Sequence, residues 1–238
     1  MSKALTNKSI GQFLLDNAIT IVLLVLVAVF VYNDPSFLSL VNLTNILSQA
    51  STNVIIALGV AGLIVTQGTD LSAGRMVGLS AVVAASLLQS PDNVSRMYQV
   101  LPGFLANQYI IVALIIACVV TALLGFINGF IIAKLKVTPF ITTLGTMIII
   151  YGLSSMYVDR EPMGAQPIGG LAAHYTEFAQ GGFRVGGLMV PYLVIYATIT
   201  TIVMWILWNK TRFGKNLFAV GGNPEAAAVS GVNITKTL

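Results

Sequence analysis

Long apolar runs separated by short polar stretches dominate the chain. The runs cover residues 13–32, 45–67, 71–88, 109–133, 140–157 and 188–208. A helix needs about 20 mainly apolar residues to cross a bilayer, so the pattern predicts an all-α, polytopic transmembrane helical bundle of about six spans. The first run is followed by Tyr32-Asn33-Asp34-Pro35 and carries no small-residue cleavage site, which predicts an uncleaved span rather than a signal peptide. The second and third runs are weaker. Their strongly apolar parts, 54–65 and 76–88, are short for a crossing and flank T-Q-G-T-D-L-S-A-G-R, residues 66–75. Two readings stay open: discontinuous helices around a polar break, or full spans whose polar ends are buried among other helices.

Composition narrows the class. Apolar residues make up 56% and charged residues 8% of the 238, against roughly a quarter charged in soluble domains. With mean hydropathy at +0.89, a water-soluble globule is excluded and the lipid bilayer is the first partner. The net charge of +4 does not point to nucleic acid, because the basic residues gather on one side. With the N-terminus cytoplasmic, Lys3, Lys8, Arg75, Lys134, Lys136, Lys210, Arg212, Lys215 and Lys236 fall inside and Arg96, Arg160 and Arg184 outside, nine against three. That is the bias expected of cytoplasmic loops. Cys118 and His174 are the sole residues of their kinds, which excludes intrachain disulfides and most Cys- or His-based metal sites. No cofactor is expected in this chain. Of the outer loops, 158–187 is rich in Gly and Pro, with Leu171, Tyr175 and Phe178 spaced for one short amphipathic helix.

The most informative polar stretch follows the last run. Lys210, Arg212 and Lys215 give way to Gly221-Gly222, which break the chain. Asn223 then suits an N-cap, Pro224 the first helical position, and Glu225 the positive end of the dipole. Ala226, Ala227 and Ala228 favour helix, and Gly231 suits the left-handed residue beyond its end. A capped helix of about two turns is marginal alone, and its small side chains suit close approach to a protein surface better than a lipid anchor. The stretch T-R-F-G-K-N-L-F-A-V-G-G-N-P-E-A-A-A-V-S-G-V-N resembles the cytoplasmic coupling loop of sugar permeases in ribose/galactose-type ABC importers. The resemblance implies that Gly222, Asn223, Pro224, Glu225, Ala226, Ala227, Ala228 and Gly231 couple the chain to a cytoplasmic ABC ATPase. It also implies a periplasmic sugar-binding protein and a second permease copy as partners.

Two further strings resemble the same family. Thr66, Gln67, Asp70, Ser72 and Arg75 sit in a stretch similar to its Gly-Asp-Leu-Ser-Gly signature, with Thr66-Gln67 and Thr69 closer to galactose-type members. On the residues alone, Asp70 caps the helix that follows, pairs with Arg75, or contacts substrate. V-T-P-F-I-T-T-L-G-T-M carries Thr142, Thr143 and Thr146, whose hydroxyls bond their own helix, a neighbour, or a sugar. Gly74 and Gly78, and Gly125 and Gly129, have the spacing for close helix packing, with Asn128 bonding across the contact. No nucleotide-binding G-x-x-x-x-G-K-[ST] and no catalytic constellation is present, so the chain is read as a transport subunit and not an enzyme.

These readings converge on a single permease domain over 1–238, with 209–238 as the coupling loop. Family members continue with further spans, so the resemblance implies C-terminal truncation. The alternative is an ion-coupled secondary transporter or channel, with Asp70 as the coupling carboxylate.

Overall fold

The computed structural model describes residues 10–94, 96–98, 109–159, 164 and 166–237. Lys3, Lys8 and Arg160 of the charge count lie outside them. The first apolar run folds as two helices rather than one. α1 (Ile10–Asp16) and α2 (Ala18–Asn33) meet at Asn17, whose backbone leaves the helical region at φ −113° and ψ 15°. Asp34 then ends α2 and accepts the Ser36 N–H at 2.9 Å, starting a single 3₁₀ turn at Pro35–Leu38. Ser39 caps α3 (Leu40–Val65) by accepting the Asn42 N–H at 3.2 Å. That cap starts the helix five residues before the expected position 45.

α3 is continuous over its 26 residues, whereas α4 (Ala73–Leu87) has only 15. The second run is therefore a full-length helix and the third a short one. α5 (Ile110–Leu135) and α6 (Pro139–Val158) follow, with Pro139 at the first helical position as its sequence setting predicts. α7 (Ala173–Gln180) is the short helix expected within 158–187. It rests on the spans, with Phe178 stacked on Tyr196 at 5.0 Å between ring centroids and the Tyr196 hydroxyl donating to the Phe178 carbonyl at 3.1 Å.

A hairpin adds to the all-α picture. β1 (Gly182–Val185) and β2 (Leu188–Pro191) pair antiparallel, Val185 opposite Leu188, across Gly186-Gly187. Both glycines have positive φ, +56° and +89°, as a two-residue turn matched to strand twist requires. This corrects the expected start of the last span: 188–191 is strand, and α8 begins after Pro191 (Tyr192–Lys210). α9 (Arg212–Gly222), α10 (Pro224–Val229) and α11 (Ile234–Thr237) complete the chain.

Among the described residues, α3, α5, α6 and α8 are long and apolar enough to cross a membrane, while α2 and α4 are shorter apolar helices. α4 lies against α5 and α6, and α3 lies beside α8. The best-buried side chains, Leu88, Ile150, Thr143 and Ser72, are on or next to α4 and α6. Most other large apolar side chains remain exposed, Ile19 at 86% and Ile111 at 71% among them. In water such a surface would aggregate; in lipid it is solvated, and helices associate through close contacts and buried polar groups instead.

Candidate functional site

The link between α3 and α4 turns back into the bundle. Gln67 takes φ +59° at the end of α3, its N–H bonds the Ile64 carbonyl (3.0 Å), and the Gly68 N–H bonds the Leu63 carbonyl (2.8 Å). These two bonds form a Schellman terminus with glutamine where glycine is usual. The chain then runs along α6, where Thr143 Oγ1 accepts the Leu71 N–H at 3.1 Å and lies 3.3 Å from the Thr69 carbonyl. Asp70 Oδ1 accepts both the N–H and the hydroxyl of Ser72, at 2.8 and 2.6 Å. Asn128 of α5 donates to Ser72 Oγ at 3.1 Å and accepts from Thr146 Oγ1 at 2.5 Å. The polar residues of three separate sequence strings thus meet in one network around Ser72, which is fully buried.

Of the open readings, Asp70 takes the turn-capping one and makes no pair with Arg75. The guanidinium of Arg75 instead stacks over the Tyr151 ring, 4.6 Å from its centroid. Tyr151 lies about 18 Å along α6 from Pro139 at 1.5 Å per residue. Arg75 therefore sits at membrane depth, and its placement among the cytoplasmic flank residues is corrected. The cause is the inward link, which makes α4 begin inside the bundle. Thr142, Thr143 and Thr146 also bond the carbonyls four residues back, at 3.2, 2.8 and 3.0 Å. A cleft of about 490 Å³ opens beside the link, its wall including Thr66, Thr69, Asp70, Asn128, Lys136 and Thr143. Among the described residues, no group of three or more metal-ligating side chains is present.

The segment after α8 packs under the same end of the bundle. Thr211 caps α9 by accepting the Gly214 N–H at 3.3 Å. Leu217 and Val220 are buried, and Leu217 reaches Gly62 of α3. A Cβ on Gly221 would overlap the Val65 carbonyl oxygen, and the Gln67 side-chain amide approaches the Gly221 carbonyl at 3.4 Å. α9 is thus seated directly on the end of α3 and its link. Asn223 caps α10 through the Ala226 N–H (3.0 Å). At the far end Gly231, with φ +85°, bonds Ala228, and the Val232 N–H bonds Ala227, both at 3.0 Å. α10 is therefore fixed at both ends within six residues.

The family described as branched-chain amino acid transport system / permease component matches residues 42–238. The galactose/methyl galactoside import permease protein MglC of Escherichia coli (strain K12) is 56% identical over 231 residues, 97% of this chain and 67% of that protein. Its Haemophilus influenzae counterpart is 53% identical over 238 residues, 100% of this chain and 69% of that protein. The chain belongs to this family of import permeases. The ribose import permease protein RbsC of Haemophilus influenzae is more distant, 35% identical over 237 residues, 99% of this chain and 67% of that protein. The chain spans about two thirds of the length of these relatives. No solved structure matches it. The permease is a multi-pass protein of the inner membrane and a transport subunit rather than an enzyme.

Within the permease, several expected roles shift. A Cβ on Gly74, Gly78 or Gly125 would meet open space, so these glycines are not close-packing contacts within the chain, and Asn128 bonds at the link rather than across a glycine contact. Gly129 instead helps line the cleft. Close approaches fall instead at Gly214, against the Trp208 backbone, and at Gly221, against Val65, with others at Gly170, Gly181 and Gly182 beside α7 and the hairpin. Gly222 has open space beside it. Ala227 is only 4% exposed and faces inward, whereas Ala226, Ala228 and Val229 are exposed, Val229 at 91%. Gly221 and Gly222, expected to break the chain, are instead the last two residues of α9, and sequence reasoning missed Val229 and the contact of Gly221 with Val65. A large apolar residue inside a polar loop was a usable signal for Val229.

Proposed function

We propose that this permease forms the membrane pathway of a galactose/methyl galactoside importer, driven by a separate cytoplasmic ATPase that grips α10. The supporting observation is the direct seating of α9 on the α3 terminus. A displacement of α10 is passed through two short capped helices to the link holding Asp70 and Ser72. The galactose assignment rests on relatives of that name at more than half identity over nearly the whole chain. In this reading the end bearing α9 to α11 is cytoplasmic, the end bearing the hairpin and α7 meets a sugar-loaded binding protein, and two copies assemble around the path.

The test is galactose uptake by cells that lack other galactose transporters and express the importer. Uptake should require the ATPase and should continue when proton and sodium gradients are collapsed while ATP is maintained. Uptake that stops with the gradients at constant ATP would replace this reading with ion coupling.

A further inference from the structure

We propose that the groove between α4 and α6 is a sugar-contacting surface of the pathway, with Arg75, Tyr151, Ser154 and Ser155 as its polar contacts; the assignment of a sugar rests on the function proposed above. Both helices present a regular stripe to it. α4 contributes Arg75, Gly78, Leu79 and Val82, and α6 contributes Tyr151, Ser154, Ser155 and Val158, each set spaced i, i+3, i+4, i+7. The groove holds about 430 Å³, within the range for small-molecule sites.

The polar groups in it are left open by the protein. Thr142, Thr143 and Thr146 on the same helix bond back to its carbonyls, which is the ordinary fate of hydroxyls in membrane helices. The hydroxyls of Ser154, Ser155 and Tyr151 make no hydrogen bond with any described residue, and Arg75 makes no hydrogen bond or ion pair with one. Arg75 and Tyr151 are both exposed on the outside of the chain. Tyr151 lies about 10 Å from the Val158 end of α6 at 1.5 Å per residue, so this is not the headgroup region. The Arg75 charge and the Tyr151 hydroxyl cannot face hydrocarbon at that depth without heavy cost, and Ser154 and Ser155 continue the same polar stripe to about 6 and 4.5 Å from the end of α6. They face water, and with it whatever solute crosses.

The chemistry fits a pyranose sugar. A pyranose has a C–H face that stacks on an aromatic ring and a rim of hydroxyls that both donate and accept. Tyr151 supplies the ring, Arg75 five donors in a planar fork, and the serines paired donors and acceptors. Asp159, at the Val158 end, places a carboxylate acceptor at the mouth. Arg75 of α4 covers one face of the Tyr151 ring, but the residue is still 56% exposed, and Gly78 adds open space on the facing helix.

The experiment uses the assembled importer with Cys118→Ser and Ser154→Cys. An impermeant maleimide added from outside is expected to label residue 154, and saturating galactose to slow the labelling. In uptake, Tyr151→Ala should raise the half-saturation for galactose by about tenfold, and Tyr151→Phe, which keeps the ring, by only about threefold. Co-purification of the ATPase checks that each variant is assembled. No labelling, or a disulfide between two copies at residue 154, overturns the proposal, since the groove would then be lipid-covered or a protein interface. If the parent takes up no galactose, the importer reading itself fails. If the parent transports and the Tyr151 variants match it, the groove assignment alone fails.

Discussion

Adding one methyl group at Gly221 should loosen the joint between α9 and the α3 terminus, while the same change at Gly222 should not. The two glycines are adjacent at the end of α9. At Gly221 a Cβ would overlap the Val65 carbonyl oxygen and come within 3.2 Å of Val65 Cγ1, whereas at Gly222 it has nothing within 4 Å. The clashing atom belongs to the backbone, so no rotamer change relieves it, and α9 must move away from α3. Overpacking of this kind costs about 1–3 kcal/mol. Alanine gains about 0.8–1 kcal/mol in helix propensity at either position, so the difference between Gly221→Ala and Gly222→Ala isolates the contact. A difference of about 2 kcal/mol moves a docked-to-undocked ratio by roughly thirtyfold. Amide exchange over 212–222 should accelerate in Gly221→Ala alone, and galactose moved per ATP hydrolysed should fall in that variant. Matching exchange and matching transport in the two variants would refute the seating of α9 on α3.

Asn128→Ala should destabilise the link by about 2 kcal/mol, since it removes two hydrogen bonds while Ser72 keeps Asp70 and Thr146 keeps the Thr142 carbonyl; thermal unfolding in detergent measures it. Gly231→Val places a β-branched residue at φ +85°, costing about 1–3 kcal/mol locally, and should fray α10 in amide exchange without altering the spans. Asp70→Asn keeps an oxygen acceptor for the Ser72 N–H and hydroxyl, and asparagine caps about as well as aspartate, so uptake should persist. Loss of uptake in a well-assembled Asp70→Asn protein would show that the charge itself is needed.

The sequence pattern located the long helices because lipid-facing segments must be apolar all round, and 109–133 and 140–157 each match a helix to within two residues at either end. The caps of α10 were legible for the opposite reason: Asn223, Pro224 and Gly231 are chosen by local backbone geometry, which sequence encodes directly. Long-range features were harder. Ser72, Asn128 and Thr146 belong to three strings far apart in the chain, and only the inward course of 66–72 brings them together. The same course raises Arg75 to Tyr151, which no charge count along the chain can detect. Glycine spacing pointed to Gly74, Gly78 and Gly125, but small residues permit close approach without causing it. The approaches at Gly214 and Gly221 depend on where α9 meets Trp208 and Val65. The hairpin at 182–191 had a readable Gly-Gly turn between alternating apolar residues, obscured by the apolar run that continues into α8.

If an ATPase energises the permease by gripping the exposed face of α10, Ala228→Trp should uncouple the two. Ala228 is exposed, next to Val229 and about 100° around the helix from the buried Ala227. A bulky ring there should block docking while the spans still insert, whereas Ala227→Trp would disturb the chain's own packing. The measurement is co-purification of the ATPase with the membrane-inserted permease, alongside galactose uptake. Ala228→Trp should lose both; parental ATPase binding and uptake in that variant would rule out coupling through α10.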